Sequence, residues 1–188
     1  MRHLMETWKN YIAEIQSEES KIVSFDFDDT LALEDSEYHY VGPNRPLLGL
    51  FKLFQRKGYN VYIVTSRSKE NEDLHRKNPN VATVDEFLAE HGLNPDGIFF
   101  THPQDKVHTL REQGVILHFD DDEFELGSID TANAANPKDP QIGTVRINFE
   151  TGAMMSGQEH IQRLLGDGWA GELTKLDDEE KENDELDG

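Results

Sequence analysis

Residues 21–31 read KIVSFDFDDTL, and this stretch decides the fold. Lys21 to Phe25 is a short run rich in β-branched and aromatic residues, the composition of a buried strand, and it passes at once into Asp26, Asp28 and Asp29. So much negative charge at the end of a buried strand calls for a functional reason. The same pattern recurs downstream. PLLGLFKLFQRKG (46–58) spaces Leu47, Leu50, Phe51 and Phe54 along one helical face, with Pro46 suited to the first turn and Gly58 to the C-terminal cap. NVYIVTSR (60–67) is a second strong strand, VATVDEFLAEHG (81–92) a helix stopped by Gly92, and GIFFT (97–101) a third strand. PQDKVHTLREQG (103–114) reads as a helix, VILHF (115–119) as a strand ending in DDDE, and QIGTVRINF (141–149) as a fifth strand. A helix-like QEHIQRLL (158–165) follows.

Helices alternating with short, almost wholly apolar strands predict an α/β fold: a Rossmann-like parallel sheet with helices on both faces. Ligands of such sheets bind beyond the carboxyl ends of the strands. Those ends carry Asp26 and Asp28, then Thr65, Ser66 and Arg67, then Asp120, Asp121 and Asp122, with Lys106 opening the helix between the third and fourth strands.

Converging carboxylates repel unless a cation lies among them, and Mg²⁺ suits an all-oxygen set of one or two carboxylates, waters and a substrate phosphate. A remaining carboxylate can attack phosphorus, forming an acyl phosphate that water hydrolyses. Asp26 and Asp28 lie two residues apart, so in an extended strand end both project to one side, as a nucleophile and a proton donor must. Lys106 and a hydroxyl of Thr65 or Ser66 supply donors to the phosphoryl oxygens, and Arg67 could either grip a substrate phosphate or pair with a surface acid. Lys69 competes with Lys106 for the lysine role. The histidines lack HExxH-type spacing, and of them His118 lies on the strand that enters the site.

These segments resemble, in order, the motifs of the haloacid dehalogenase (HAD) superfamily. FDFDDTL is similar to the DxDxT motif, VYIVTSR to the strand that ends in Thr or Ser, Lys106 in QDKVHTL to the third-motif lysine, and HFDDD to the acidic metal-carrying pair. The resemblance implies a HAD core, Asp26 as nucleophile, Asp28 as general acid/base, Thr65 and Lys106 as catalytic partners, and Mg²⁺ held by Asp26, Asp28, Asp120 and Asp121. An Asp at position 28 implies a phosphatase or phosphomutase rather than a dehalogenase. The intervals 31–59 and 66–105 leave no room for a separate cap domain, so the site is expected to be open, with the loop Glu34–Asn44 as a flap. An open site fits a large substrate, or a second subunit closing over a small one. Tyr38, His39 and Tyr40 could stack on a base or sugar. Small phosphatases of this kind include the 3′-phosphatase domains of polynucleotide kinases, which carry a similar TSR. A phospho-accepting receiver-like module uses related residues, but on different strands.

Composition narrows these readings. The net charge of −20 disfavours nucleic acid and anionic lipid and favours a nucleotide or another small phosphomonoester as substrate. A chain of 188 residues suits one domain, and it has no apolar run of the roughly 20 residues a membrane span requires. The absence of cysteine suits a reducing cytoplasm. At the N-terminus, Leu4, Trp8, Ile12 and Ile15 mark one face of a helix over 1–20, expected to pack on the body or on a second subunit. The catalytic domain is expected over 21–171 and a disordered, solubilising acidic tail over 172–188.

Overall fold

The computed structural model describes residues 20–78, 80–102 and 105–176. Eight strands and six helices follow one another: β1 (Ile22–Phe25), β2 (Ala32–Glu34), β3 (Tyr40–Pro43), α1 (Arg45–Arg56), β4 (Asn60–Thr65), α2 (Lys69–His75), α3 (Val84–Glu90), β5 (Gly97–Phe100), α4 (Lys106–Glu112), β6 (Val115–Asp120), α5 (Glu123–Ala135), β7 (Gly143–Ile147), β8 (Met154–Ser156) and α6 (Gln158–Leu165). Residues 169–176 form a further helical stretch. The main sheet runs β5-β4-β1-β6-β7-β8; its pairings are parallel except that of β8 with β7, and β2 and β3 pair apart from it as an antiparallel hairpin. The expected Rossmann-like α/β architecture is therefore present.

Strand alternation sorts the core into two layers. Val23, Phe25, Val61, Ile63, Leu117 and Phe119 meet α1, α3, α6 and Leu176 on one face, while Tyr62 and Val64 meet Leu110 of α4 and Leu126 and Ile129 of α5 on the other. Phe25 stacks on Phe119 with ring centroids 4.3 Å apart and Phe54 meets Phe119 edge-on at 6.1 Å. Burying each such ring contributes roughly 1.5–3 kcal/mol, and this cluster lies directly behind the ends of β1 and β6.

Four segments depart from the expected organisation. The flap is a hairpin rather than a loop. Asp29 takes the left-handed conformation (φ 53°), its N–H donates to Ala32 O at 2.8 Å, and its Oδ1 accepts from Glu34 N at 3.1 Å, so the chain turns back immediately beyond the acidic stretch. At the tip, Asp35 Oδ1 accepts from Glu37 N and His39 N at 2.8 and 3.0 Å. The stretch after DDD, given no element above, is α5, capped by Asp122, whose Oδ1 accepts from Phe124 N at 2.7 Å and Glu125 N at 3.4 Å. Residues 69–75, given no element above, are helical, capped by Ser68. The C-terminal helical stretch crosses the expected boundary at 172: Lys57 pairs with Glu172 at 2.7 Å, and Leu176 is buried. The expected N-terminal helix, apart from its last residue Ser20, and the tail beyond Leu176 lie outside the described residues.

Candidate active site

β1 is central. The chain leaves it toward β4 on one side, whereas β6, its other neighbour, leads away to β7, so connections diverge from the carboxyl ends of β1 and β6. A crevice opens at such a switch point. Phe25 pairs with Phe119, and Asp26 N donates to Phe119 O at 2.8 Å, so this register brings Asp26 beside Asp120.

From the same side come Lys106, at the start of α4, and Glu125, in the first turn of α5. Lys106 Nζ donates to Asp26 Oδ1 and Asp120 Oδ2, both at 2.8 Å, and also pairs with Glu125. Lys106 is 2% exposed, which only a charge-paired lysine tolerates. Burial alone would lower its pKa, but Asp26, Asp120 and Glu125 outweigh burial and raise it well above the ordinary value. Ser66 Oγ donates to Glu125, Thr30 Oγ1 donates to Asp121 Oδ1 at 3.2 Å, and Asp120 Oδ1 accepts from Asp122 N at 2.8 Å. The cavity over the cluster, about 180 Å³, is lined by Asp26, Asp28, Asp29, Thr65, Ser66, Lys106, Asp120, Asp121, Asp122 and Glu125. Pockets that engulf a drug-sized ligand run roughly 300–1,000 Å³, so this one suits a phosphoryl group and an ion, with the rest of a substrate outside.

Asp28 and Arg67 form a second unit. Arg67 Nε donates to Asp28 Oδ2 at 2.7 Å and Nη2 to Asp28 Oδ1, while Nη1 donates to Glu72 Oε1 and Ala82 O, each at 2.7 Å. Its guanidinium lies 4.8 Å from the centre of the Phe27 ring. Glu72 accepts in turn from Val84 N at 3.1 Å, which ties the unit to α3. Glu34 of the hairpin completes it, 3.7 Å from Arg67 Nη2 and hydrogen-bonded to Asp28. Burial first, then Asp28 and Asp29, push Glu34 up to about 7, so Glu34 retains a proton into the neutral range.

The acidic cluster is short of positive charge. Burial first, then Asp120 and Asp28, push Asp26 well above the ordinary carboxylate range despite Lys106. Burial also raises Glu125, and burial with Asp120 and Asp29 pushes Asp121 up to about 7. Asp120 moves the other way: hydrogen bonds from His118 and Lys106 overcome its burial and hold it well below the usual range. Among the described residues, Asp26, Asp120 and Glu125 each offer an oxygen within 4.8 Å of the others. This all-oxygen, charge-deficient set fits a hard divalent cation.

The Asp121 shift has a measurable consequence. Its folded pKa of about 7 lies above the unfolded value of about 3.9, so its contribution to stability is complete below about pH 4 and is lost as pH rises through about 7. In EDTA, Asp121→Asn is therefore expected to raise the melting temperature by several degrees at about pH 8, about 1–2 kcal/mol after allowing for partial exposure, and by progressively less toward about pH 4. Scanning calorimetry across that range checks it; a gain independent of pH sinks it.

The fold thus gathers Asp26, Asp28, Thr65, Ser66, Lys106, Asp120 and Asp121 around one cavity. Lys69 is exposed and lines a different groove, beside β5, that shares no residue with this cavity. Arg67, expected to grip substrate or to pair with an acid, does not line the cavity and is occupied by Asp28 and Glu72. Ser66, expected beside it, gives its hydroxyl to Glu125. Of the carboxylates expected to hold metal, Asp26 and Asp120 fall, with Glu125, in the group whose side-chain oxygens lie within 4.8 Å of one another, and Asp28 and Asp121 do not. Tyr40, expected to stack on substrate, bonds His91 Nε2 at 3.1 Å and meets Phe87 edge-on, anchoring the hairpin to α3. Glu125, Glu34 and Glu72 were not expected. For Glu125 the available signal was Asp122 followed three residues later by Glu, a helix-start pattern.

A doubly wound sheet with an acidic, lysine-bearing cluster at its switch point defines the class of protein. No family model and no curated protein matches the chain. Among solved structures it is similar to the 3-deoxy-D-manno-octulosonate 8-phosphate phosphatase of Moraxella catarrhalis, in complex with magnesium ion, phosphate ion and KDO, at 21% identity over 58% of this chain and 62% of that one, TM-score 0.35. It is also similar to the cobalt-bound deoxy-D-mannose-octulosonate 8-phosphate phosphatase of Haemophilus influenzae, at 16% identity over 79% of this chain and 90% of that one, TM-score 0.40. A hypothetical protein of Xanthomonas campestris shares 17% identity over 59% of each chain, TM-score 0.34.

Proposed function

We propose that the chain is a Mg²⁺-dependent phosphomonoester hydrolase of the HAD type that works through a phosphorylated Asp26. One observation carries the reading: at the switch point the buried Asp26 is paired with Lys106 at 2.8 Å, and Asp28, two residues on, is held in the same cavity by Arg67. Asp26 attacks phosphorus, the ester bond to the leaving oxygen breaks, and that oxygen takes the proton supplied by the Asp28–Glu34 pair. Asp28 then withdraws a proton from the water that cleaves the acyl phosphate, returning inorganic phosphate and free Asp26. Lys106 and the Thr65 hydroxyl donate to the phosphoryl oxygens. Asp26, Asp120 and Glu125 would hold Mg²⁺, which would supply further positive charge to the phosphoryl oxygens.

The substrate is a nucleotide or another small phosphomonoester. The charge of −20 supports this, and with Tyr40 engaged in packing, the hairpin loses one of the aromatic platforms that a polynucleotide 3′-phosphatase would use. In the described residues no helix is long and apolar enough to cross a membrane. The test is hydrolysis of p-nitrophenyl phosphate, nucleotides, sugar phosphates and 3′-phosphorylated oligonucleotides with Mg²⁺ or EDTA. Absence of Mg²⁺-dependent turnover on all of them overturns the reading. In the same assay Asp28→Asn is expected to lose about 10²–10⁴-fold in kcat, because water attack on the acyl phosphate needs its base, whereas single-turnover formation of the phosphoenzyme from p-nitrophenyl phosphate, whose leaving group needs no proton, falls much less. Equal losses in both would remove Asp28 from proton transfer.

A further inference from the structure

Beneath the acidic cluster lies a second polar layer that the proposed chemistry does not use. Ser24 and Asp26 alternate along β1 with Val23 and Phe25, and His118 and Asp120 alternate along β6 with Leu117 and Phe119. All four polar residues therefore face α4 and α5. Ser24 pairs in register with His118, one rung below Asp26 and Asp120. His118 and Ser24 are both 0% exposed. His118 Nδ1 lies 2.8 Å from Ser24 Oγ, and Nε2 lies 2.9 Å from Asp120 Oδ2, the oxygen that also accepts from Lys106.

The partners fix the tautomer. An ionised carboxylate only accepts, so Nε2 carries the proton that Asp120 receives, and Nδ1 accepts from the Ser24 hydroxyl. The ring is fully buried, with one nitrogen at hydrogen-bond distance from each partner. A histidine so placed, buried on a strand between a hydroxyl and a carboxylate, has its ring rotation set by both neighbours. It spends its one donor on one oxygen of Asp120 while Asp122 N holds the other at 2.8 Å.

We infer that His118, oriented by Ser24, is a positioning residue that holds Asp120 in the geometry needed to bind the divalent cation. The inference rests on the phosphatase reading of the cluster and adds a layer to it. Partners that orient a metal ligand from behind typically account for about 10- to 100-fold in metal affinity.

The experiment is calorimetric titration of Mg²⁺ into the full-length chain, with no substrate present, and circular dichroism melts to establish folding. His118→Leu is expected to weaken Mg²⁺ binding about 10- to 100-fold, and Ser24→Ala, which leaves the ring in place but frees its tautomer, about 3- to 10-fold. His118→Gln, whose amide NH₂ can occupy the Nε2 position, is expected to return affinity to within about threefold of wild type, which a merely space-filling role would not produce. Should His118→Leu fail to fold, His118→Asn, too short to reach Asp120, carries the same expected loss. A folded His118→Leu or His118→Asn that binds Mg²⁺ as tightly as wild type overturns the inference and leaves the phosphatase reading standing. A wild-type chain that takes up no Mg²⁺ overturns both.

Discussion

Asp26→Asn is expected to remove Mg²⁺-dependent turnover, by at least about 10⁴-fold in kcat, without lowering the melting temperature. The amide is close to isosteric but cannot form an acyl phosphate. The fold tolerates it because the wild-type carboxylate is held against its own preference: burial, Asp120 and Asp28 all push its pKa up. Lys106 keeps Asp120 and Glu125 as partners, so no buried charge is left alone. In EDTA the melting temperature should match or exceed that of wild type. Phosphate release and a thermal melt on one preparation decide the matter. Residual turnover above about one part in 10² would show that Asp26 is not the nucleophile, and lost activity in a chain that has also melted would leave the residue with a structural role alone.

Lys106→Met has the opposite profile, with stability and activity falling together. Methionine fills the space but leaves Asp26, Asp120 and Glu125 facing one another in a buried site, and breaking such a set by removing its one cation costs about 3–5 kcal/mol. For a chain of this length that is on the order of 10 °C in melting temperature. Without the lysine the folded pKa values of Asp26 and Glu125 rise further above their unfolded ones, and Asp120 loses one of the donors that hold it low. The destabilisation should therefore be largest at about pH 8 and shrink toward about pH 4–5, where the folded site can be protonated. Mg²⁺ should restore part of the loss at about pH 8 by mass action on the folded state. Melts at both pH values with EDTA or Mg²⁺ check this. A fall equal at both and untouched by Mg²⁺ would mean that Lys106 contributes packing rather than charge.

What could be read from the sequence followed the strength of the local signal. β1, β4 and β6 are short apolar runs, the first followed at once by Asp26 and the others ending in Thr65 and Asp120, so both their existence and the polarity of their ends were visible in a few consecutive residues. Asp26, Lys106 and Asp120 could be placed because a parallel sheet puts every carboxyl end at one edge. α5 was hidden because EFELGSIDTANAA buries only Glu125, Leu126 and Ile129, too few apolar residues to mark a face, and Glu125 went with it. Arg67 was located but its partners were not. They lie 39 residues before it at Asp28 and five after it at Glu72, and no local pattern announces that a buried arginine will be consumed by its own protein. The helix through Leu176 was masked by the acidic composition around it, although one buried leucine and one lysine–glutamate pair join it to α1.

The left-handed turn at Asp29 also bears on how such a site could be elaborated. Its bonds to Ala32 and Glu34, and those made by Asp35 at the tip, close the hairpin upon itself at both ends. Sequence spliced between Asp35 and His39 would therefore be insulated from the floor on which Asp26 stands. The chain carries a ready attachment point at the rim of its cavity, where a lineage could add a roof and change what is admitted while leaving the reacting groups in place.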